Sequence, residues 1–256
     1  MKKIEVCVIG SGNIAVHLIK NIQRISAFAL VGVFARKSDS IAYLVTTDLI
    51  YNRLEDLPYA DLYIIAVSDD AISEVSNALI FSGRFVVHTS GTQSLDILSS
   101  NNRRGVLYPL QTFSKSKNIN FREVPLFVEV ENEQDSLLLT KVAGLLSDNI
   151  YPLDSHKRKA LHVAAVFSSN FVNYLYGIAH QILDDNQLSF EVLKPLIKEV
   201  ADKVQELSPE QAQTGPARRG DYQTIASHQQ FLEFNTKFAE IYKLLSNSIL
   251  EKYGKL

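Results

Sequence analysis

The chain has 256 residues, enough for one large domain or two modest ones, and its 46% hydrophobic content can fill a packed core. A formal net charge of -2 and a pI near 6.3 carry neither the basic excess of a nucleic-acid binder nor a long acidic tail, which favours small-molecule partners. One cysteine excludes an internal disulfide, and six scattered histidines give no zinc-ligand spacing, so no metal is expected.

Met1-Lys2-Lys3 leads into an apolar run too short to span a membrane and lacking a small-residue cleavage site, so no membrane partner and a cytoplasmic location are expected. Residues 4–9 (IEVCVI) are nearly all apolar, as in a parallel strand buried on both faces, and place Cys7 in the core as an inert thiol. Gly10, Ser11, Gly12, Asn13, Ile14 and Ala15 then spell G-x-G-x-x-A, and Ile14, Ala15, Leu18, Ile19 and Ile22 share one side of a helix. Each small residue meets its own steric demand: Gly10 a tight turn, Gly12 close approach of a pyrophosphate, Ala15 close packing of helix on strand. The exposed amides and positive helix end would face the phosphates; a tight turn without ligand is the competing reading.

Residues 29–34 (ALVGVF) predict the second strand, followed by Ala35, Arg36, Lys37 and Ser38. An NAD site places an acid here for the ribose 2′-hydroxyl, whereas an NADP site uses cationic and hydroxyl donors for the 2′-phosphate. Arg36, Lys37 and Ser38 therefore point to NADP, with a solvated basic turn as the alternative. Residues 54–60 suggest a short helix stopped by Pro58, and residues 61–67 (DLYIIAV) a third strand whose end, Val67 and Ser68, would face the cofactor. Asp69 or Asp70 is expected to cap a helix presenting Ile72, Val75, Leu79 and Ile80. Residues 85–88 form the next strand, with Thr89, Ser90, Gly91 and Thr92 at its carboxyl end, where open α/β sheets bind ligands. Ser90 is thus either a substrate or nicotinamide contact or a turn residue.

Residues 105–112 (GVLYPLQT) read as a strand broken by Pro109, residues 126–130 as another, residues 135–146 as a helix presenting Leu138, Val142 and Leu145, and residues 149–153 as a last strand. The pattern changes near Asp154, which divides the chain into a dinucleotide-binding domain over 1–153 and a helical substrate and dimerisation domain over 154–256. The fold class expected is α/β: a doubly wound, mostly parallel Rossmann sheet followed by an all-α domain. Residues 157–183 suggest one long helix, in which His162 and Asn170 lie roughly on one face, as a satisfied core network or as the wall of a substrate site. Further helices are expected over 190–207 and over 227–253, the last ending before Gly254. Between them the loop 208–224 (SPEQAQTGPARRGDYQT) crowds Thr214, Arg218, Arg219 and Asp221, as a substrate-binding loop or as a capping turn with solvated arginines. Asp221 could fix an arginine for an anionic ligand.

GSGNIA at Gly10, HTSG at His88, YPLQTF at Tyr108, KALHVAAVFSSN over 159–170 and TGPARRGD at Thr214 together resemble a bacterial family that joins a Rossmann-like NADP-binding domain to a helical C-terminal domain of unknown function. In fold the family is similar to pyrroline-5-carboxylate reductase, deazaflavin-dependent NADP oxidoreductase and the 6-phosphogluconate dehydrogenase group. The resemblance implies a C-terminal helical domain that makes the dimer and closes the substrate cleft. Two departures stand out. Tyr108 takes the place of the family's common histidine before Pro109, and Lys159 is followed four residues later by Val163, so the lysine and asparagine pair of the hydroxyacid dehydrogenases is missing.

The function expected is an NADPH-dependent reductase of a small carbonyl or imine. His162 would donate the proton, because imidazole titrates nearest to neutral pH, while Asn170, Ser90 and Arg218 orient the substrate. A cofactor-holding sensor or scaffold, which needs the glycine loop but no proton donor, is the alternative. A homodimer is expected through the C-terminal helices, where Leu244, Leu245, Ile249 and Leu250 exceed what a small helical domain can cover.

Overall fold

The structure is a computed structural model describing residues 2–253, and in it the first apolar run becomes β1 (Ile4–Ile9), an inner strand of an eight-stranded sheet. Its side chains alternate. Val6 and Val8 pack on one face with Ala15, Val16, Leu18, Ile19 and Ile22 of α1 (Asn13–Arg24), while Cys7 and Ile9 pack on the other with Tyr63, Ile65 and Ile72. Both faces are covered, which is why the strand reads as an unbroken apolar run. Each fully buried Leu or Ile contributes about 1.5 to 3 kcal/mol, and this burial anchors α1, whose N-terminus at Gly12 has no side-chain cap.

The other strands are β2 (Phe28–Phe34), β3 (Ile50–Tyr51), β4 (Leu62–Ile65), β5 (Phe85–His88), β6 (Arg103–Pro109), β7 (Leu126–Val130) and β8 (Ile150–Pro152). Their order is β3-β2-β1-β4-β5-β6-β7-β8, parallel throughout except between β6 and β7, so the Rossmann-type α/β sheet expected is present. The chain winds from β1 to β2 and β3 on one side and resumes with β4 on the other. The carboxyl ends of β1, β2 and β4 therefore lie side by side, with Ile9 opposite both Phe34 and Ile65. This is the topological switch at which open α/β sheets bind ligands.

Several expectations are corrected. The helix expected over 54–60 is a 3-10 turn, Leu54–Asp56, too close to Pro58 to extend. β3 is only two residues long and leaves no periodic signal. Helix α2 (Ile72–Asn77) stops early, and Ile80 beyond it is 75% exposed rather than part of a buried face. Neither Asp69 nor Asp70 caps α2: its N-cap is Ala71, and Asp69 turns instead to Thr92. Helix α3 (Glu133–Leu146) buries Leu139, Val142, Ala143 and Leu146, a face turned slightly from the one expected. Asp154 caps α4 (Ser155–Ala165), accepting from the Lys157 amide at 2.8 Å.

The long helix expected over 157–183 changes hydrogen-bond pattern in its middle. After α4 comes a π segment, Val166–Phe171, and then α5 (Val172–Asp185). Ser168 and Ser169 both donate their hydroxyls to the Ala165 carbonyl, at 3.2 and 2.8 Å, and so compete for the acceptor that the regular ladder would use.

Contacts divide the chain into two compact units between Asn170 and Phe171, so α4 packs with the sheet unit although the change of sequence pattern precedes it. In the second unit, α6 (Lys194–Glu206) carries Pro195 in its first turn, preceded by a 3-10 turn, Phe190–Leu193. The loop expected over 208–224 contains two short helices, α7 (Pro209–Ala212) and α8 (Pro216–Arg219), and α9 (Tyr222–Phe231) begins within it. The single helix expected over 227–253 is interrupted after a 3-10 turn: Asn235 adopts extended backbone, and α10 (Thr236–Tyr253) restarts with the Asn235 side chain accepting from the Phe238 amide. Gly254, expected as its stop, lies outside the described residues. Among the described residues no helix is long and apolar enough to cross a membrane.

Candidate functional site

At the switch point, Gly10 has φ +139°, and a Cβ there would lie 2.2 Å from the Ala66 carbonyl oxygen at the end of β4. Only glycine fits. Gly12, by contrast, has no heavy atom within 4 Å of a Cβ built on it, so its face is open. Gly12 is also the N-cap of α1 and supplies no side-chain acceptor, which leaves the first-turn amides for a ligand. The cleft in front of them has a volume of about 1020 Å³, and its walls include Gly10, Ser11, Gly12, Asn13 and Ile14, together with Val67 and Ser68 beyond β4. Arg36 and Lys37 line it together with Ser40; Ser38, expected there, opens the 3-10 turn Ser38–Ser40 two residues earlier and is not part of the lining. Glu74 also lines the cleft, but the position after β2 where an NAD site carries its acid holds Arg36 and Lys37; with the open glycine and the uncapped amides this fits a dinucleotide that carries a 2′-phosphate.

The lining also includes residues that the sequence reading did not place there, Gln111 and Phe113 of the YPLQTF motif. The Asn13 side chain donates to the Phe113 carbonyl at 2.8 Å, and His17 Nε2 lies 2.9 Å from the Ser114 carbonyl, its ring against that of Phe113. The helix that bears the glycine loop thus also holds the strap beyond β6.

A second polar cluster gathers at the carboxyl end of β5, outside the cleft lining. The Ser90 amide donates to His88 Nδ1, so Nδ1 is the acceptor and Nε2, 3.3 Å from the Ser94 carbonyl, carries the proton. Burial, with the nearby Arg158 cation, pushes the His88 pKa down to about 4. Ser90 Oγ accepts from the amides of Thr92 and Gln93 and lies 3.3 Å from Thr92 Oγ1, which donates to Asp69. Its hydroxyl is therefore held within the turn. Arg158, missed by the sequence reading, is fully buried; it pairs with Glu129 and donates to the Gln93 carbonyl and the Ser155 hydroxyl.

His162 is half-buried, and its Nδ1 lies 3.0 Å from the hydroxyl of buried Tyr108. Burial pushes the Tyr108 pKa up to about 12. Gly91 faces both: a Cβ on it would approach His162 Nδ1 to 2.5 Å and Tyr108 Cζ to 2.7 Å. Asn170 is exposed in the π segment, 3.0 Å from Ser169 Oγ, and makes no hydrogen bond to His162.

In the helical unit Asp221 caps α9, accepting from the Thr224 amide at 3.1 Å and the Thr224 hydroxyl at 2.7 Å, and these bonds hold its carboxyl below the usual range. Arg218 does not pair with it. Its guanidinium donates to the Tyr253 carbonyl at 2.9 Å and lies over the Tyr253 ring. The Thr214 carbonyl accepts from the Gln213 side chain. Among the described residues, no group of three or more His, Cys, Asp or Glu is arranged to hold a metal ion.

A family profile, the domain of unknown function DUF2520, matches residues 124–249. No curated protein matches the sequence. A Plasmodium falciparum pyrroline carboxylate reductase with NADP bound is 15% identical over 98% of each chain, with a TM-score of 0.59. An imine reductase from Myxococcus stipitatus, in complex with NADP+, is 14% identical over 98% of this chain and 96% of its own, with a TM-score of 0.69. Both share the fold. A Bacteroides fragilis protein provisionally named an NADP oxidoreductase is 37% identical over 97% of this chain and 98% of its own, with a TM-score of 0.89. On that likeness, which runs through both the glycine-loop sheet and the helices beyond it, the chain belongs to the family of the Bacteroides fragilis protein.

Proposed function

We propose that the protein is an NADP-dependent oxidoreductase that reduces a small carbonyl or imine. The observation that carries the reading is the cleft at the switch point, where an open Gly12 and uncapped amides are followed by Arg36, Lys37 and Ser40 in place of an acid. The fold shared with an imine reductase supports the choice of a C=N or C=O bond. When bound, NADPH supplies the hydride to the carbon of that bond. The chain's part is to hold the dinucleotide at α1, grip its 2′-phosphate through Arg36, and deliver a proton from His162 Nε2 to the nitrogen or oxygen as the π pair moves onto it. Water then restores that proton.

In this reading Ser90 and Asn170 serve the reacting group, and Thr214, Arg218 and Asp221 bind the substrate. A homodimer completes it. In the helical unit Leu196, Val200 and Val204 recur every four residues along α6 and are 58, 53 and 43% exposed, and Leu244 of α10 is 68% exposed. A second copy would cover such a stripe. Light scattering at micromolar concentration should give twice the chain mass, and a monomer would refute this part.

Calorimetric titration of the wild type and Arg36→Ala tests the cofactor assignment. A charge-assisted contact of about 1.5 to 3 kcal/mol predicts a roughly ten- to hundredfold weaker NADP affinity, with NAD affinity unchanged. Equal losses for both cofactors would overturn it. Following NADPH absorbance over a panel of imines and ketones then tests turnover, and binding without turnover of any of them would favour a sensor.

A further inference from the structure

We infer that Tyr108 is a positioning residue that, together with the bare backbone at Gly91, fixes the ring of His162 so that Nε2–H is the donor offered to the reacting group. The inference rests on the reading of His162 as the proton donor, but its geometry stands apart from any turnover.

The argument begins with what surrounds the hydroxyl. Tyr108 lies on β6 and is buried, 6% exposed, and among the described residues His162 Nδ1, at 3.0 Å, is the hydrogen-bond partner of its oxygen. A buried hydroxyl without an acceptor is costly, so its proton goes to Nδ1. With the phenol pKa near 12, that proton is present throughout the neutral range. Neutral His162 is thereby held as the tautomer with a bare Nδ1 and a protonated Nε2.

A hydroxyl also serves the charged ring. When His162 takes a second proton, Nδ1–H donates and the Tyr108 oxygen, turned about its C–O bond, accepts. Nε2–H remains the outward donor in both protonation states. When the charged ring passes its Nε2 proton to the substrate atom that receives the π pair, it is left neutral with Nδ1–H donating to Tyr108, and a solvent proton returns to Nε2. A carboxylate in place of Tyr108 could only accept, and would hold the proton on Nδ1.

Gly91 supplies the second constraint. It ends the β5 strand region beside the dyad, and a methyl group there would come within 2.5 Å of Nδ1 and 2.9 Å of Cγ of the same ring. The backbone at Gly91 is thus a flat stop against which the imidazole lies. The ring plane is set by contact and its tautomer by the hydrogen bond. Neither constraint was legible from His162 alone, since Tyr108 and His162 are 54 residues apart.

The experiment is nitrogen NMR on the full chain labelled with 15N-histidine, read at the alkaline plateau of the ring's own titration, with the His162 signals identified by their loss in His162→Gln. The wild type should show a protonated Nε2 and a bare Nδ1. Tyr108→Phe should show the two nitrogens averaging between tautomers, and Gly91→Ala should do the same by displacing the ring. A wild-type ring protonated on Nδ1, or spectra unchanged in Tyr108→Phe, would overturn the inference. With a substrate from the reductase panel, Tyr108→Phe should lower kcat about 10- to 100-fold and leave KM within about threefold, the signature of lost orientation. A rise in KM at unchanged kcat would count against it. Should no substrate be turned over, the reductase reading fails, and the nitrogen spectra still decide the tautomer.

Discussion

The two glycines that open the cofactor loop do different jobs, and a pair of alanine substitutions separates them. Gly10→Ala places a Cβ at φ +139° and 2.2 Å from the Ala66 carbonyl oxygen, with the carbonyl carbon at 2.8 Å. Neither side can yield cheaply. The Gly10 amide donates to Phe34 and the Ala66 amide to Ile9, so relief would pull two ladder bonds apart. A sparsely populated backbone costs about 1 to 3 kcal/mol for a residue with a side chain, and forced overpacking about 1 to 3 more. The sum, about 2 to 6 kcal/mol, is a large share of an ordinary domain's stability and should move a urea midpoint by about 1 M or more. Gly12→Ala meets nothing within 4 Å and keeps φ near -74°, an ordinary value, so its unfolding free energy should change by less than about 1 kcal/mol. Its methyl group nevertheless occupies the face offered to the pyrophosphate, and NADPH affinity should fall at least about tenfold. Urea unfolding followed by tyrosine fluorescence, convenient in a chain with 11 tyrosines and no tryptophan, gives the stabilities, and calorimetry the affinities. A Gly12→Ala protein that binds NADPH as the wild type does, or a Gly10→Ala protein of unchanged midpoint, would refute the division of labour.

Buried neutral His88 makes stability pH-dependent: its folded pKa near 4 lies below the ordinary 6.5, so the unfolded chain binds the extra proton and stability falls as pH drops from about 6.5 towards 4. The wild type should lose about 2 to 3 kcal/mol more than His88→Asn between pH 7.5 and 4.5, measured by urea unfolding at both, and equal losses would refute the assignment. Arg158→Met removes the cation from a pair with Glu129 and should destabilise by about 3 kcal/mol, the low end for broken buried pairs because Glu129 keeps some exposure. A near-neutral change in melting midpoint would show that water replaces the guanidinium. Asp221→Ala removes the α9 cap and should lower the midpoint by no more than about 4 °C while raising KM, whereas a lower midpoint with unchanged kinetics would leave the loop a purely structural role.

The strands were legible because burial on both faces writes itself into adjacent residues: IEVCVI and DLYIIAV need no partner to be recognised. The glycine loop was legible for a related reason, since its steric demands fall on positions 10, 12 and 15 of one short segment. Features made by distant residues were not. Asp69 looked like a cap because a carboxylate before an apolar run usually is one, yet Thr92, 23 residues away, claims it. The π segment depends on Ser168 and Ser169 reaching back to a single carbonyl, which a helical pattern conceals. Ser40 stands in the cleft where Ser38 was expected, because a 3-10 turn winds tighter than the extended chain that the motif presupposes. Arg158, which nothing in the sequence singled out, is the most deeply enclosed cation of the β5 cluster, held there by residues far from it in the chain.

Cys7, mid-strand in β1, is fully shielded and burial pushes its thiol up to about 12. Thiolate is the reactive form, so alkylating reagents at neutral pH have almost nothing to attack while the sheet is closed. The chain therefore carries an internal clock for its own opening. The rate at which a maleimide or disulfide reagent labels it measures passage through states in which the innermost strand is bared, with no engineered reporter. Conversely, a cysteine introduced anywhere on the surface would be the sole fast-reacting thiol, and a spin label or fluorophore placed along α6 could follow assembly without first removing the native one.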